Sequence, residues 1–414
     1  MSVYPLRPLG EIVENLDAQR RPVKSSERRP GPYPYFGAQG IVDHVDGFLF
    51  DGEFVLVAED GENLRSRNQP IALMARGRFW VNNHAHILRG TWCADTRFLF
   101  YALNQADIAG YVTGSTIPKL SQGNLNRILV PCPSIDEQRE IVAILGALDD
   151  KIDLNRRMNE TLEAMTRAIF QDWFVTFGPT RAKQEGHPPY LAPDLWSLFP
   201  NRLDDQGKPE GWRDRPLAEF MGLISGGTPR TSEPAYWGGD IPWFSVVDAP
   251  APSEMYVITT EKTITAAGLE NCAATLLPEG AVIITARGTV GKLAVVGCPM
   301  AMNRSCYAAV GTGGIPSSFI LFLLKEAVQR LQANTHGSVF DTITRPTFQA
   351  VSSPMPSLKL AIHFGAVVEP LLARVLSNVR ESRTLAATRD LLLPMLMSGE
   401  LRVRDADRAV AEVA

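Results

Sequence analysis

His84 and His86, in the string VNNHAHIL, are the pair in this chain best spaced for metal chemistry. At i and i+2 they share one face of a strand, as two imidazole ligands would require. No nearby residue supplies a third ligand, so packed histidines are the stronger reading. Gly288-Thr289-Val290-Gly291-Lys292-Leu293 has the glycines and lysine of a phosphate-cradling loop. It lacks the four-residue gap between glycines and the hydroxyl after lysine that would hold magnesium, so it reads as a strand-to-strand turn. Pro188-Pro189-Tyr190 would suit methyl transfer to an amine only with Asn or Asp before it, and His187 stands there. The stretch around it, EGHPPYLAPDLWSLFPNRLDDQGKPEGW, is proline-rich and polar and reads as a linker. Cys93, Cys132, Cys272, Cys298 and Cys306 form no CxxC pair, and their odd count argues against a disulfide framework.

The elements that carry these residues are organised by a repeat. GSTIPKLSQGNLNRILVPCPS (114–134) lines up without gaps on GSVFDTITRPTFQAVSSPMPS (337–357), an offset of 223. Gly114/Gly337, Ser115/Ser338, Pro131/Pro354, Pro133/Pro356 and Ser134/Ser357 are identical, and the offset continues through Asn155/Asn378 to Ala164/Ala387. Upstream, with gaps, Pro34-Tyr35-Phe36 matches Pro242-Trp243-Phe244, Ala75-Arg76-Gly77 matches Ala286-Arg287-Gly288, and Asn82 matches Asn303. The chain therefore reads as two copies of one unit.

Each copy opens with short β-branched runs punctuated by glycine and proline, such as 54–58 and 281–285, followed by a helical stretch (97–105 and 319–333), which predicts an α+β domain. A long helix follows. Pro133-Ser134 with Asp136 and Glu137 is a helix-start signal. Ile141, Leu145, Leu148, Ile152, Met158, Leu162, Met165, Ile169 and Trp173 then recur at threes and fours, a coiled-coil seam with Asn155 inside it. The second seam runs through Phe364, Val368, Leu371, Val375, Asn378, Leu385 and Leu392, interrupted by Glu381 and Thr388. Pro370 predicts a kink or a late start for this helix, and Pro394 its end. The expected order is a first α+β domain over 1–135, a helix over 136–178 and a linker over 179–211. A second domain follows over 212–357, a helix over 358–402 and a tail over 403–414.

At 414 residues, 45% hydrophobic and 21% charged, the composition is that of a globular protein of two to four domains. No apolar run of roughly 18 residues stands out, which predicts no spanning helix. The start lacks the pattern of a secretory signal, and the cysteine usage points to a reducing cytoplasm. Net charge is −4. The stretch 136–176, with nine acids and five bases, carries that whole deficit. Elsewhere Arg65, Arg67, Arg76, Arg78, Arg89 and Arg97 promise local basic surface for phosphate.

These segments resemble the specificity subunit of type I restriction–modification systems. GSTIPKLSQGNLNRILVPCPSIDEQREIVAILGALDDKIDLNRRMNETLEAMTRAIFQDWF resembles that family's central region, ISGGTPRTSEPAYWGGDIPWFSVVD the opening of its target recognition domains, and LLLPMLMSGEL its C-terminal helix end. The first copy departs from the pattern: it lacks the GGTP glycines, and Arg28-Arg29-Pro30-Gly31 stands roughly in their place.

The resemblance implies two α+β target recognition domains separated by two long antiparallel helices in a coiled coil, with pseudo-twofold symmetry, in a monomeric scaffold. It implies a non-catalytic subunit that reads a bipartite, interrupted site in double-stranded DNA and has no cofactor of its own. Two methyltransferase subunits and restriction/translocase subunits would join it, with S-adenosylmethionine, ATP and Mg in those partners. About 35 helical residues would span roughly 50 Å, beside roughly 34–36 Å for one turn of B-DNA. Arginine can pair with guanine and asparagine with adenine. The candidate DNA-binding residues are therefore Arg76, Asn82, Asn83, His84, Asn303, Arg304 and Arg287, with Thr228, Arg230, Lys119 and Lys292 toward phosphate. The candidate partner-binding helix seam is Ile141, Leu145, Leu148, Ile152, Asn155 and Leu162, with Leu371, Val375, Asn378 and Leu385. The rival reading is a self-contained metal-dependent DNA-modifying enzyme using His84 and His86, or an orphan DNA-binding protein.

Overall fold

The computed structural model describes residues 3–251, 254–334 and 342–406, so the Gly337 and Ser338 of the repeat lie outside the described residues. The chain forms two compact units: unit 1, Met1–Asp153 with Ser382–Ala414, and unit 2, Leu154–Glu381.

Unit 1 contains β1 (Leu6–Pro8), β2 (Val13–Asn15), β3 (Pro30–Gly37), β4 (Gly40–Val45), β5 (Phe50–Ala58), α1 (Asn63–Ser66), β6 (Ala72–Val81), β7 (Ala85–Gly90), α2 (Thr96–Gln105), α3 (Gln122–Arg127) and β8 (Leu129–Pro131). Six strands form a sheet in the order β2-β7-β5-β6-β3-β4, and β1 pairs with β8. Strand alternation gives β5 two buried faces. Val55 and Val57 pack with Phe98, Leu99 and Leu103 of α2, while Phe54 joins Phe36, Phe50 and Phe79 on the other side. Asp95 caps α2 by accepting from the backbone N–H groups of Arg97 and Phe98.

The helix α4 (Ile135–Phe174) starts in unit 1. Ser134 and Glu137 form a capping box there, with Glu137 N donating to Ser134 Oγ and Ser134 N donating to Glu137 Oε2. Ile141, Leu145 and Leu148 are buried in one cluster with Leu385, Leu392, Leu396 and Met397. Each such side chain contributes roughly 1.5–3 kcal/mol by leaving water.

Unit 2 contains α5 (Gly178–Gln184), α6 (Pro193–Trp196), β9 (Arg213–Pro216), β10 (Met221–Ser225), β11 (Trp237–Phe244), β12 (Tyr256–Val257), β13 (Thr263–Ile264), α7 (Ala266–Glu270), β14 (Val282–Thr285), β15 (Leu293–Val296), β16 (Ala301–Met302), β17 (Cys306–Gly311), α8 (Ser317–Asn334), α9 (Arg345–Ala350), β18 (Ser352–Met355) and α10 (Leu358–Ser398). Its sheets run β10-β17-β14-β15-β12 and β13-β11-β16, with β9 paired to β18. Phe170, Trp173 and Phe174 of α4, Phe319 and Phe322 of α8, and Phe364 of α10 share one buried aromatic cluster. The segment read as a linker is folded: Phe199 is buried in this core, and Leu191, Leu195, Leu198 and Leu203 pack against it.

The repeat holds at the level of single hydrogen bonds. Leu9 N donates to Ile128 O, and Leu217 N to Val351 O. Glu59 N donates to His84 O, and Ala286 N to Ser305 O. Leu120 N donates to Glu59 O, and Ile343 N to Ala286 O. The parallel β3–β6 pair sets Phe36 beside Val81, as β11–β16 sets Phe244 beside Met302.

Strand register also corrects two sequence matches. Arg76 lies on β6 opposite Glu53, whereas Arg287 follows β14, the counterpart of β5, so the two ARG triplets are not equivalent. The residues in the place of GGTP are Ala18-Gln19-Arg20-Arg21, because β2 and β10 occupy the same place beside β7 and β17. Gly31 matches Gly239 instead, and in both a Cβ would strike backbone, Asp46 Cα at 2.3 Å and Ile264 O at 2.6 Å.

Helix α10 also departs from expectation. It begins at Leu358, well before Pro370, and passes Pro394 to end at Ser398. Gly399, at φ +77°, ends it, with its N–H bonded to Leu396 O. An 18-residue stretch of this helix is long and apolar enough to cross a membrane by length and composition, contrary to the sequence expectation; 44% of that stretch is buried inside the protein.

The seam shifts within α4. Asn155, Glu163, Thr166, Phe170 and Trp173 are buried, while Ile152, Met158 and Leu162 are half-buried and Met165 is exposed. In α10, Leu372 is buried and Leu371 half-buried. Asn155 and Asn378 take seam positions because each finds a partner on the facing helix, Glu381 and Asn159, while Thr166 bonds back to Glu163 O of its own helix.

Candidate nucleic-acid interface

In each unit three loops meet at the end of the sheet. In unit 2 they are the glycine loop after β10, the turn between β16 and β17, and the β14–β15 turn. Gly226 lies so close to the second that a Cβ would stand 1.9 Å from Asn303 O, and Gly227 N donates to Met302 O. Only glycine permits that approach. Asn303 Oδ1 accepts from Ser305 N at 2.9 Å, so its side chain builds the turn. Asn82 does the same in unit 1, accepting from His84 N at 2.8 Å, and is buried. Both asparagines are therefore engaged as turn formers through Oδ1.

The glycine–lysine string is the β14–β15 turn expected of it. Thr285 Oγ1 accepts from Lys292 N at 2.9 Å, and Gly288 and Gly291 take positive φ. Arg287, Lys292 and Arg304 are exposed, as are Thr228 and Arg230. Among the described residues none of these four cations has a carboxylate partner. Arg345, at the start of α9, joins this surface by donating to Leu223 O and Ser225 Oγ at 3.0 and 3.3 Å.

Unit 1 differs. His86 is buried, its Nδ1 2.5 Å from Asp17 Oδ2 and its Nε2 2.8 Å from Leu120 O. Both ring nitrogens are occupied by protein, which leaves none for a metal. His84 Nδ1 lies 2.7 Å from Asp60 Oδ2 and its ring is half exposed. Arg20 donates to Glu59 Oε2 at 2.7 Å and to Ala85 O at 2.9 Å, and Lys119 lies 3.4 Å from Glu59 Oε1. Burial pushes the Asp17 carboxyl up, but the His86 hydrogen bond and charge, the Ile87 N–H and Arg20 outweigh it and hold the group below its ordinary value. Glu59 is lowered in the same way: its burial is outweighed by Arg20, His86 and Lys119. Among the described residues no three His, Cys, Asp or Glu side chains gather to hold a metal.

All six arginines expected to form basic surface in unit 1 are paired with carboxylates or tied to backbone. Arg76 faces Glu53 at 3.2 Å and Asp150 at 3.5 Å, Arg78 faces Asp51, Arg89 faces Glu14 and Arg97 faces Asp150. Arg67 donates to Asn104 O and Ala106 O, and Arg65 to Gly114 O. Asn83 is exposed and lends its carbonyl to Arg20.

Sequence reasoning missed Asp17, Arg20 and Glu59, which no motif marks. It also missed Gln138, fully buried at the start of α4, which donates to Cys93 O and Pro133 O and accepts from Asp95 N. A polar residue on the apolar stripe beside Ile141 was the available signal. Tyr190 donates to Asp172 Oδ2 at 2.9 Å, a structural role for the PPY string.

Comparison with known proteins places this geometry. The family model described as "Type I restriction modification DNA specificity domain" matches twice, at residues 3–164 and 209–360. A putative type I restriction enzyme specificity subunit of Haemophilus influenzae, S.HindORF215P, is 41% identical over 142 residues, which is 34% of this chain and 36% of that protein. The HindI specificity subunit of the same organism is 24% identical over 331 residues, covering 69% of this chain and 72% of its own length. A solved type I restriction–modification S subunit from M. genitalium superposes with a TM-score of 0.60 at 15% identity over 96% of both chains, a likeness of fold.

Proposed function

The chain belongs to the type I restriction–modification DNA specificity family, and from that premise we propose that it is the DNA-reading, non-catalytic subunit of such a complex. Each unit reads one half of an interrupted duplex site, using the loops after β2, β5 and β6 in unit 1 and their counterparts after β10, β14 and β16 in unit 2. The observation that carries this reading is the repeated scaffold, with matched backbone hydrogen bonds presenting different side chains at matched places. Rigid strands hold the loops while the loop residues vary, which lets one architecture read two sequences.

Two methyltransferase subunits dock on the helices, and restriction/translocase subunits join them; S-adenosylmethionine, ATP and Mg act in those partners, in the cytoplasm. The seam itself is interior, so docking falls to the apolar residues left outside. On α4 these are Leu154 and Met165, three turns apart on one face; on the first half of α10 they are Leu358, Ile362 and Val367.

The test is a methylome of cells carrying the neighbouring methyltransferase gene, with and without this chain. An interrupted adenine-methylation motif should appear only with the chain. Methylation unchanged by the chain, despite a stable complex, would overturn the reading.

A further inference from the structure

The two units present the same loop scaffold with different charge. Strand register and shared backbone bonds match seven positions. Arg20, Glu59, Asp60, Asn83, His84, Lys119 and Gln122 of unit 1 correspond to Thr228, Ala286, Arg287, Arg304, Ser305, Thr342 and Arg345 of unit 2. Unit 1 has two cations and two carboxylates at these places, and unit 2 has three arginines and no carboxylate.

The pairing deepens the contrast. In unit 1 the Glu59 carboxylate takes Arg20 at 2.7 Å and Lys119 at 3.4 Å, and Asp60 takes His84 at 2.7 Å. In unit 2, Arg287 and Arg304 have no carboxylate partner among the described residues, and Lys292 and Arg230 extend the same surface. Asp248 lies on a neighbouring turn, but its oxygens accept from Ser245 N, Ser245 Oγ and Glu261 N. A cation already held by a carboxylate releases few counterions when it meets phosphate, whereas a free one releases its full share.

Resting on the DNA-reading function proposed above, we infer that the two recognition units divide the work unequally. Unit 2 grips the phosphate backbone through Arg287, Arg304, Arg345 and Lys292. Unit 1 contributes little counterion release from the matched loops and presents instead a charge-compensated polar surface, its Asp60–His84 pair facing the base edges.

The experiment is fluorescence anisotropy of the full chain on a mixed-sequence duplex of about 30 base pairs, across a salt series. Each lost phosphate contact should flatten the slope of log K against log[salt] by about 0.9. Arg287→Ala and Arg304→Ala should each do so, while Arg287→Lys, which keeps the charge, should retain the wild-type slope. Lys119→Ala should leave the slope unchanged, and Glu59→Gln, which releases Arg20 and Lys119, should steepen it. Equal flattening by Lys119→Ala and Arg287→Ala would overturn the unequal division while leaving DNA reading intact. A wild-type chain that binds no duplex at any salt would overturn the DNA-reading function itself.

Discussion

Across the helix pair of unit 2, the Asn155 amide donates to the Glu381 carboxylate at 2.8 Å, and Asn378, its counterpart 223 positions on, donates to Asn159 Oδ1 at 2.8 Å. The two matched asparagines do not bond each other. Each reaches a polar group on the facing helix, and because 155 meets 381 while 159 meets 378, the helices run antiparallel there. Both asparagines are fully buried.

Removing this polar pairing should cost stability. Asn155→Ala loses a hydrogen bond to a charged acceptor, worth about 1.5–3 kcal/mol, and should lower the urea midpoint accordingly. The double change Asn155→Leu with Glu381→Leu should cost less than the two single changes added, because the half-buried carboxylate leaves together with this donor. A strictly additive double variant would show that the pair is not coupled.

Two carboxylates should give stability opposite dependences on pH. The folded-state value of Asp17 lies below its ordinary 3.8, so its contribution is present above 3.8 and lost as pH falls through the folded value. Asp17→Asn should therefore shrink the loss of stability seen in acid denaturation below that pH.

Burial pushes the Glu163 carboxyl from 4.5 up to about 7, against the opposing pull of Lys325 and Arg167. Here the folded state holds its proton longer than the unfolded chain, so stability falls as pH rises from 4.5 to about 7. Glu163→Gln should remove that decline and leave the variant relatively more stable at pH 8. An unchanged pH profile in denaturant titrations would contradict the buried, protonated carboxyl.

Glycine positions should separate by what surrounds them. Gly226→Ala would place a methyl 1.9 Å from Asn303 O and should destabilise the protein by about 1–3 kcal/mol. Gly123→Ala, in α3 with nothing within 4 Å, should stabilise it by roughly 0.5–1 kcal/mol. Thermal melting of both variants checks the contrast.

Helix length should set the gap between half-sites. Insertion of four residues into α4 and four into α10 should lengthen the spacer of the methylated motif and leave its half-sites unchanged. A motif with the original spacer would contradict this.

Much of the architecture was legible in the sequence because its signals are local. Apolar residues at threes and fours declare a helix whatever it packs against, and Ser134 with Glu137 declares where it starts. The offset of 223 tied Asn155 to Asn378 and Ser134 to Ser357 without any coordinates, since a duplicated chain keeps its spacing. The helix ends were less legible. Pro370 and Pro394 looked like breaks, yet α10 runs past both and stops at Gly399, where positive φ is easy for glycine.

The loop surface was decided by tertiary structure. The Arg76 and Arg287 triplets look alike as strings, but strand pairing puts one opposite Glu53 and the other at an exposed turn. His86 became a core residue because Asp17, 69 positions away, is carried to its ring by β2 pairing with β7. Periodicity, capping and duplication are properties of neighbouring residues, so the chain alone determined two α+β units and two long helices. Which cations stay free depends on carboxylates brought from distant strands, and only the register of the folded sheets decides that.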